Sequence, residues 1–128
     1  DFYKKLMSNN KQLEILGDGT QTKSYLHVKD CVRALYKAIE NKKKPKLINI
    51  YNIGTPETIT VTDSANIIAN KLGFNPVFIY SGGVRGWVGD NPLIHLCCNK
   101  IKKELQWEPV FTIKESLIDT VDYLLDKV

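Results

Sequence analysis

A small mixed α/β fold is expected of this chain, on three observations. Short runs rich in Ile, Val and aromatic residues alternate with stretches whose apolar residues recur every three or four positions. Gly, Pro and Asp punctuate the junctions between them. The strand-like runs are few and short, and do not look like a complete sheet with two covered faces of its own. The length of 128 residues suits one domain, residues 1–128, with a modest core.

Taken in order, "DFYKKLMSN" reads as the tail of an amphipathic helix with Phe2, Leu6 and Tyr3 inward. "LEIL" is a short strand, "GDGT" a turn, and "QTKSYLHV" the next strand, since Asp-Gly between strand-formers signals a hairpin. Asp30 is expected to cap a helix that runs to about Asn41, with Val32, Ala34, Leu35, Ala38 and Ile39 at helical spacing. "KLINIYNIG" alternates and reads as a buried strand. A helix over "ITVTDSANIIANKLG" takes Thr62 as cap and Gly73 as stop. "NPVFIYS" is a strand, and "GGVRGWVGDNP" is a loop with four of the eight glycines. "CCNKIKKELQW" is a short helix, and a last helix starts near Thr112 with Ile113, Leu117, Val121 and Leu124 or Leu125 inward.

Composition excludes several classes. Hydrophobic residues make 43% and charged residues 25%, as in ordinary globular proteins. No run approaches the roughly 18 apolar residues of a membrane helix, so no membrane partner is expected. The start is charged and amphipathic rather than a signal peptide, and it does not open with Met, as expected of a piece of a longer chain. Cys31, Cys97 and Cys98 make an odd count without framework spacing, which points to a reducing, cytoplasmic compartment. His95 beside Cys97 and Cys98 lacks zinc-site spacing, so no metal is expected and the thiols are taken as buried. The net charge is +4, yet only Arg33 and Arg85 of the 18 basic residues are arginines, where a nucleic-acid reader would use more. The cluster "NKKKPK", Asn41 to Lys46, suits the negative end of the preceding helix dipole.

Two motifs tempt and fail. Gly17-x-Gly19-x-x-Thr22 falls one glycine short of a dinucleotide fingerprint, and β-branched and aromatic residues follow it where that fingerprint opens a helix. Tyr25 with Lys29 and Tyr123 with Lys127 match a Tyr-x-x-x-Lys proton-donor pair. The first lies on an expected strand and the second at a frayed chain end, so no catalytic residue is assigned. The loop around Arg85 is a better prospect. An arginine sits among glycines that allow close backbone approach, with Trp87 offering a flat face and Asp90 an acceptor. Arg33 reads as an exposed helix residue or packing partner.

"LEILGDGTQTKSYLHVKDCVRAL", "YNIGTPETITVTDSANIIANKLG", "GGVRGWVGDNP" and "CNKIKKELQWEPVFTIKESLIDTVDYL", in this order and over essentially the whole chain, resemble the C-terminal half of the extended short-chain dehydrogenase/reductases. These are NAD-dependent nucleotide-sugar epimerases and dehydratases; the Arg85 loop looks most like members of UDP-glucose 4-epimerase type. The resemblance implies the C-terminal portion of that fold, a small mixed sheet with helices, its Rossmann half absent. NAD and the catalytic Ser/Thr, Tyr and Lys would belong to that missing half, so this chain alone would bind no cofactor and turn nothing over. It would hold the substrate, a UDP-sugar, by its diphosphate and nucleobase. Lys23 stands where the family commonly has a diphosphate arginine, and Arg85 matches the second one. Asp90 matches the acid that accepts from a ribose hydroxyl, although Gly86 to Gly89 intervene where many members are tighter. The strand from Glu14 to Leu16 matches the segment that meets the base. The helix after "YLHVKD" and the strand "YNIG" would pack on the Rossmann side, leaving apolar surface exposed here unless an oligomer covers it; family members dimerise through helices outside this segment, so a homodimer is compatible. Two alternatives compete: part of a dTDP- or GDP-sugar 4,6-dehydratase, and a free-standing basic binding module supported only by the +4 charge.

Overall fold

The computed structural model describes residues 1–41, 48–91 and 95–127. Five helices and four short strands follow in the order α1 (Phe2–Ser8), β1 (Gln12–Ile15), β2 (Thr22–Lys23), α2 (Val28–Glu40), β3 (Ile59–Thr60), α3 (Val61–Lys71), β4 (Val77–Tyr80), α4 (Asn99–Leu105) and α5 (Ile113–Leu125). The class is α/β, but the expected single mixed sheet resolves into two pairs. β1 pairs in parallel with β4, Gln12 opposite Val77 and Ile15 opposite Tyr80. β2 pairs antiparallel with β3, Lys23 opposite Ile59. The Asp18-Gly19 turn therefore joins two strands without making them a hairpin. Gly17 and Gly19, both at positive φ, swing the chain from one pair to the other.

Alternation explains β1: Leu13 and Ile15 point into the core while Gln12 and Glu14 face out. They meet Leu6 of α1 and Ala65 and Ala69 of α3, with Phe2, Val61, Ile68, Leu72, Phe74 and Phe78 around them. A second core gathers Ala34 of α2, Ile101 and Leu105 of α4, and Trp107.

Helix ends follow local chemistry, with two corrections. α5 starts where expected, near Thr112, and Thr112 and Glu115 form a reciprocal capping box there. Gly73, at φ +74°, ends α3. The cap of α3, however, is Thr60, whose hydroxyl accepts from Asp63 N, while Thr62 Oγ1 donates to Gly19 O. The cap of α2 is His27, whose ring accepts from Lys29 N. Asp30 lies inside the helix, buried, and accepts from the backbone N–H groups of Val110 and Phe111 and from Arg33 Nη2. A carboxylate that finds two backbone donors far along the chain, and Arg33 one turn on, is worth more there than as a cap. Arg33 also reaches Glu108 O, so it is a packing partner.

The stripe read as inward on α2 is largely not covered. Ala34 is buried, but Val28, Val32, Leu35, Tyr36 and Ile39, at helical spacing on one face, are all exposed, Ile39 to 79%. Residues 48–54, the described part of "KLINIYNIG", form no strand. Ile48 and Ile50 are about three-quarters exposed, at 74% and 75%. An alternating run needs a neighbouring strand to complete its ladder, and none is supplied among the described residues. Of the "NKKKPK" cluster, Lys42 to Lys46 lie outside the described residues.

Candidate functional site

The site forms where the ends of β1 and β4 meet. Past β4, Ser81 N donates to Ile15 O, Gly82 N to Gly17 O, and Ser81 Oγ accepts from Gly17 N. This zipper delivers the glycine-rich loop onto the turn after β1. A Cβ on Gly17 would lie 3.2 Å from the Arg85 carbonyl carbon, and one on Gly86 would lie 3.3 Å from Leu16 O. The glycines are thus needed for backbone to pass over backbone.

Asp90 organises the loop. Its Oδ2 accepts from Gly86 N at 3.1 Å, and its own N–H donates to Trp87 O at 3.0 Å. Its Oδ1 lies 2.5 Å from Lys23 Nζ, which also donates to Asn91 O at 2.8 Å. The Lys23 hydrogen bond above all, then the Gly86 N–H, hold the Asp90 carboxyl below its ordinary range; partial burial opposes them, and the charges of Lys23 and Arg85 add to the lowering. Lys23 and Arg85, from distant parts of the chain, therefore both act on one carboxylate. Their states differ. Lys23 is paired, and Arg85 is exposed with no ion pair among the described residues.

Asp90, Leu16, Gly86 and Trp87 line a cleft of about 390 Å³ with Gln21 and Tyr25. Trp87 is 66% exposed, and its ring occupies the space that a Gly89 side chain would need. Glu14 stands apart from this group. Its carboxylate and its carbonyl both engage Lys5 Nζ, at 3.3 and 3.2 Å, beside a separate groove. Leu16, just past β1 and 45% exposed, opens to the cleft.

Gln21 was not singled out in the sequence. It is buried, its amide N donates to Leu16 O at 2.9 Å, and its Oε1 is enclosed without a hydrogen-bond partner among the described residues. A glutamine between two threonines beside a turn reads as a surface residue, so no local signal marks it.

The remaining candidates do not assemble. Around the Gly17-Gly19 turn, added Cβ atoms would meet Gln21, Thr62 and Tyr80, so the protein itself fills the space a dinucleotide's phosphates would need, and β2 follows instead of a helix. These residues do not fit NAD. Lys29 pairs with Asp119, and Lys127 lies over the Tyr123 ring at 4.5 Å; neither is presented to a tyrosine hydroxyl as a proton-transfer partner. Cys97 is exposed, correcting its reading as a buried thiol, whereas Cys98 is half-buried and its thiol pKa is pushed up by that burial. No group of three or more His, Cys, Asp and Glu is placed to hold a metal among the described residues. No helix among them is long and apolar enough to cross a membrane.

Residues 2–54 match the NAD dependent epimerase/dehydratase family. Over 133 residues, 99% of this chain, the sequence is 28% identical to GDP-mannose 3,5-epimerase 1 of Oryza sativa subsp. indica. It is 34% identical over 101 residues, 78% of this chain, to UDP-arabinose 4-epimerase 1 of Arabidopsis thaliana. The fold superposes on the crystal structure of UDP-glucose 4-epimerase from Thermotoga maritima with UDP-glucose, with a TM-score of 0.81 and 28% identity over 98% of this chain. What these likenesses define is part of an extended short-chain dehydrogenase/reductase fold. The chain belongs to the NAD dependent epimerase/dehydratase family. It spans 32% and 23% of the two curated relatives and 38% of the solved chain.

Proposed function

We propose that this chain is the nucleotide-sugar-binding part of an NAD-dependent epimerase of UDP-glucose 4-epimerase type. One observation carries this: an exposed Arg85, with no ion pair among the described residues, sits on a glycine loop over the end of β1 whose next residues, Gly86, Trp87 and Asp90, line a cleft. A guanidinium matches the paired oxygens of a diphosphate, and a carboxylate beside it accepts from ribose hydroxyls. Trp87 and Leu16 give the base an apolar surface. Gripping the nucleotide fixes the sugar relative to a reaction centre elsewhere, a proximity effect worth several kcal/mol.

The hydride chemistry belongs to residues outside this chain. The uncovered face of α2 and the unladdered residues 48–54 are what a missing Rossmann half would cover. The chain alone accordingly shows no turnover.

Similarity to a GDP-mannose 3,5-epimerase over 99% of the chain favours a second reading, in which the base is guanine. Turnover of the full-length protein on UDP-, dTDP- and GDP-sugars separates the two. Epimerisation of a UDP-sugar is expected. Turnover confined to GDP-sugars replaces the base assignment, and turnover of none of the three overturns the function.

A further inference from the structure

We propose that Lys23 does not grip the ligand but acts on it through Asp90, as a positioning residue that clasps the 85–91 loop, and that Arg85 alone meets the diphosphate. This rests on the nucleotide-binding function proposed above.

The geometry of the ammonium carries it. Lys23 Nζ has three protons to donate. One goes to Asp90 Oδ1 at 2.5 Å and one to Asn91 O at 2.8 Å. Both acceptors belong to the loop, and the same Asp90 carboxylate holds Gly86 N through its other oxygen. The chain of bonds runs from Lys23 to Asp90 to Gly86, and Gly86 is the residue after Arg85. Lys23 itself is fixed, because its strand pairs with β3 opposite Ile59. The clasp therefore ties Arg85's neighbour to a rigid element.

The alternative, in which Lys23 turns to a phosphate, breaks this arrangement. Lys23 and Asp90 side chains are only 21% and 12% exposed. Removing the lysine leaves a largely enclosed carboxylate without its cation, at a cost a surface pair would not incur. An arginine in this position has a fork that serves two acceptors at once; an ammonium is a compact point charge and does not bridge a carboxylate and a diphosphate in the same way. Arg85 has no such ion pair to break among the described residues.

The test uses the full-length protein as wild type, Lys23→Met, Lys23→Arg and Arg85→Ala. Affinities for uridine and UDP are measured by NMR titration, with amide exchange in the unliganded protein. Lys23→Met is expected to weaken uridine on the order of tenfold and UDP by at least as much, because the loosened loop carries Arg85 as well as Asp90. It should also speed exchange at Gly86 and Asp90 while Leu13 and Ile15 stay protected, which separates a loosened loop from a destabilised fold. Lys23→Arg is expected to restore both. Arg85→Ala should weaken UDP and leave uridine unchanged. A Lys23→Met that weakens UDP alone, weakens neither ligand, or leaves Gly86 exchange unchanged overturns the proposal. Wild-type protein that binds neither uridine nor UDP overturns the nucleotide-binding function itself, a result distinct from these.

Discussion

The backbone of Arg85 packs on Gly17 so closely that a methyl group on Gly17 would sit 3.2 Å from the arginine's carbonyl carbon. It would also lie 2.1 Å from Gln21 Nε2, and Gly17 holds φ at +85°. Gly17→Ala is therefore expected to lower stability by about 2 kcal/mol or more, since the left-handed backbone alone costs an alanine ~1–2 kcal/mol. It should also displace the loop and weaken UDP binding. Urea unfolding and a UDP titration check both; an alanine variant as stable as wild type contradicts the packing.

Asp30 is expected to be the costliest single carboxylate to remove. Asp30→Ala leaves the Val110 and Phe111 N–H groups and Arg33 without their shared buried acceptor, a loss of about 3–5 kcal/mol. Denaturant unfolding measures it. A change under about 1 kcal/mol would mean that the 108–111 segment finds other partners.

The Lys23–Asp90 clasp should be insensitive to pH across the neutral range. Asp90 titrates below its ordinary value of 3.8, so in the folded state its proton is bound more weakly than in the unfolded chain. The clasp's stabilisation is fully present above the unfolded value and is lost as pH falls through the lowered folded one. The Gly86 amide shift, followed down from neutrality, should move only below about pH 4. A transition at higher pH contradicts the pairing.

The α2 face makes a prediction about the isolated 128 residues. Val28, Val32, Leu35, Tyr36 and Ile39 form one contiguous exposed stripe, and such stripes associate. Sedimentation should show self-association of the isolated chain, reduced in Leu35→Lys with Ile39→Lys. The same pair should destabilise the full-length protein, where the stripe is expected to be covered. A monomeric isolated chain, or a full-length protein indifferent to both lysines, contradicts that covering.

Local signals made the short-range features legible. Thr112 with Glu115 three residues on, Gly73 after an apolar stripe, and "NPVFIYS" each carry their geometry in a few neighbouring residues. What escaped depends on partners far along the chain. The pairing of β1 with β4 joins Gln12 to Val77, and nothing near either residue encodes it. Asp30 looks like a cap until Val110 and Phe111 arrive to use its oxygens. Residues 48–54 read as a strand because their alternation is real, while the ladder they need is not present among the described residues. The glycines around Arg85 were legible as a loop; the commitment of Lys23 to Asp90 was not, because charge alone does not say which acceptor lies within reach.

The most direct test of a diphosphate site at Arg85 is the KM for a UDP-sugar in the full-length protein with Arg85→Ala. A charged hydrogen-bonded contact of about 1.5–3 kcal/mol corresponds to a rise of roughly tenfold to a hundredfold. That rise is the expected result. An unchanged KM would remove Arg85 from the site and the diphosphate with it.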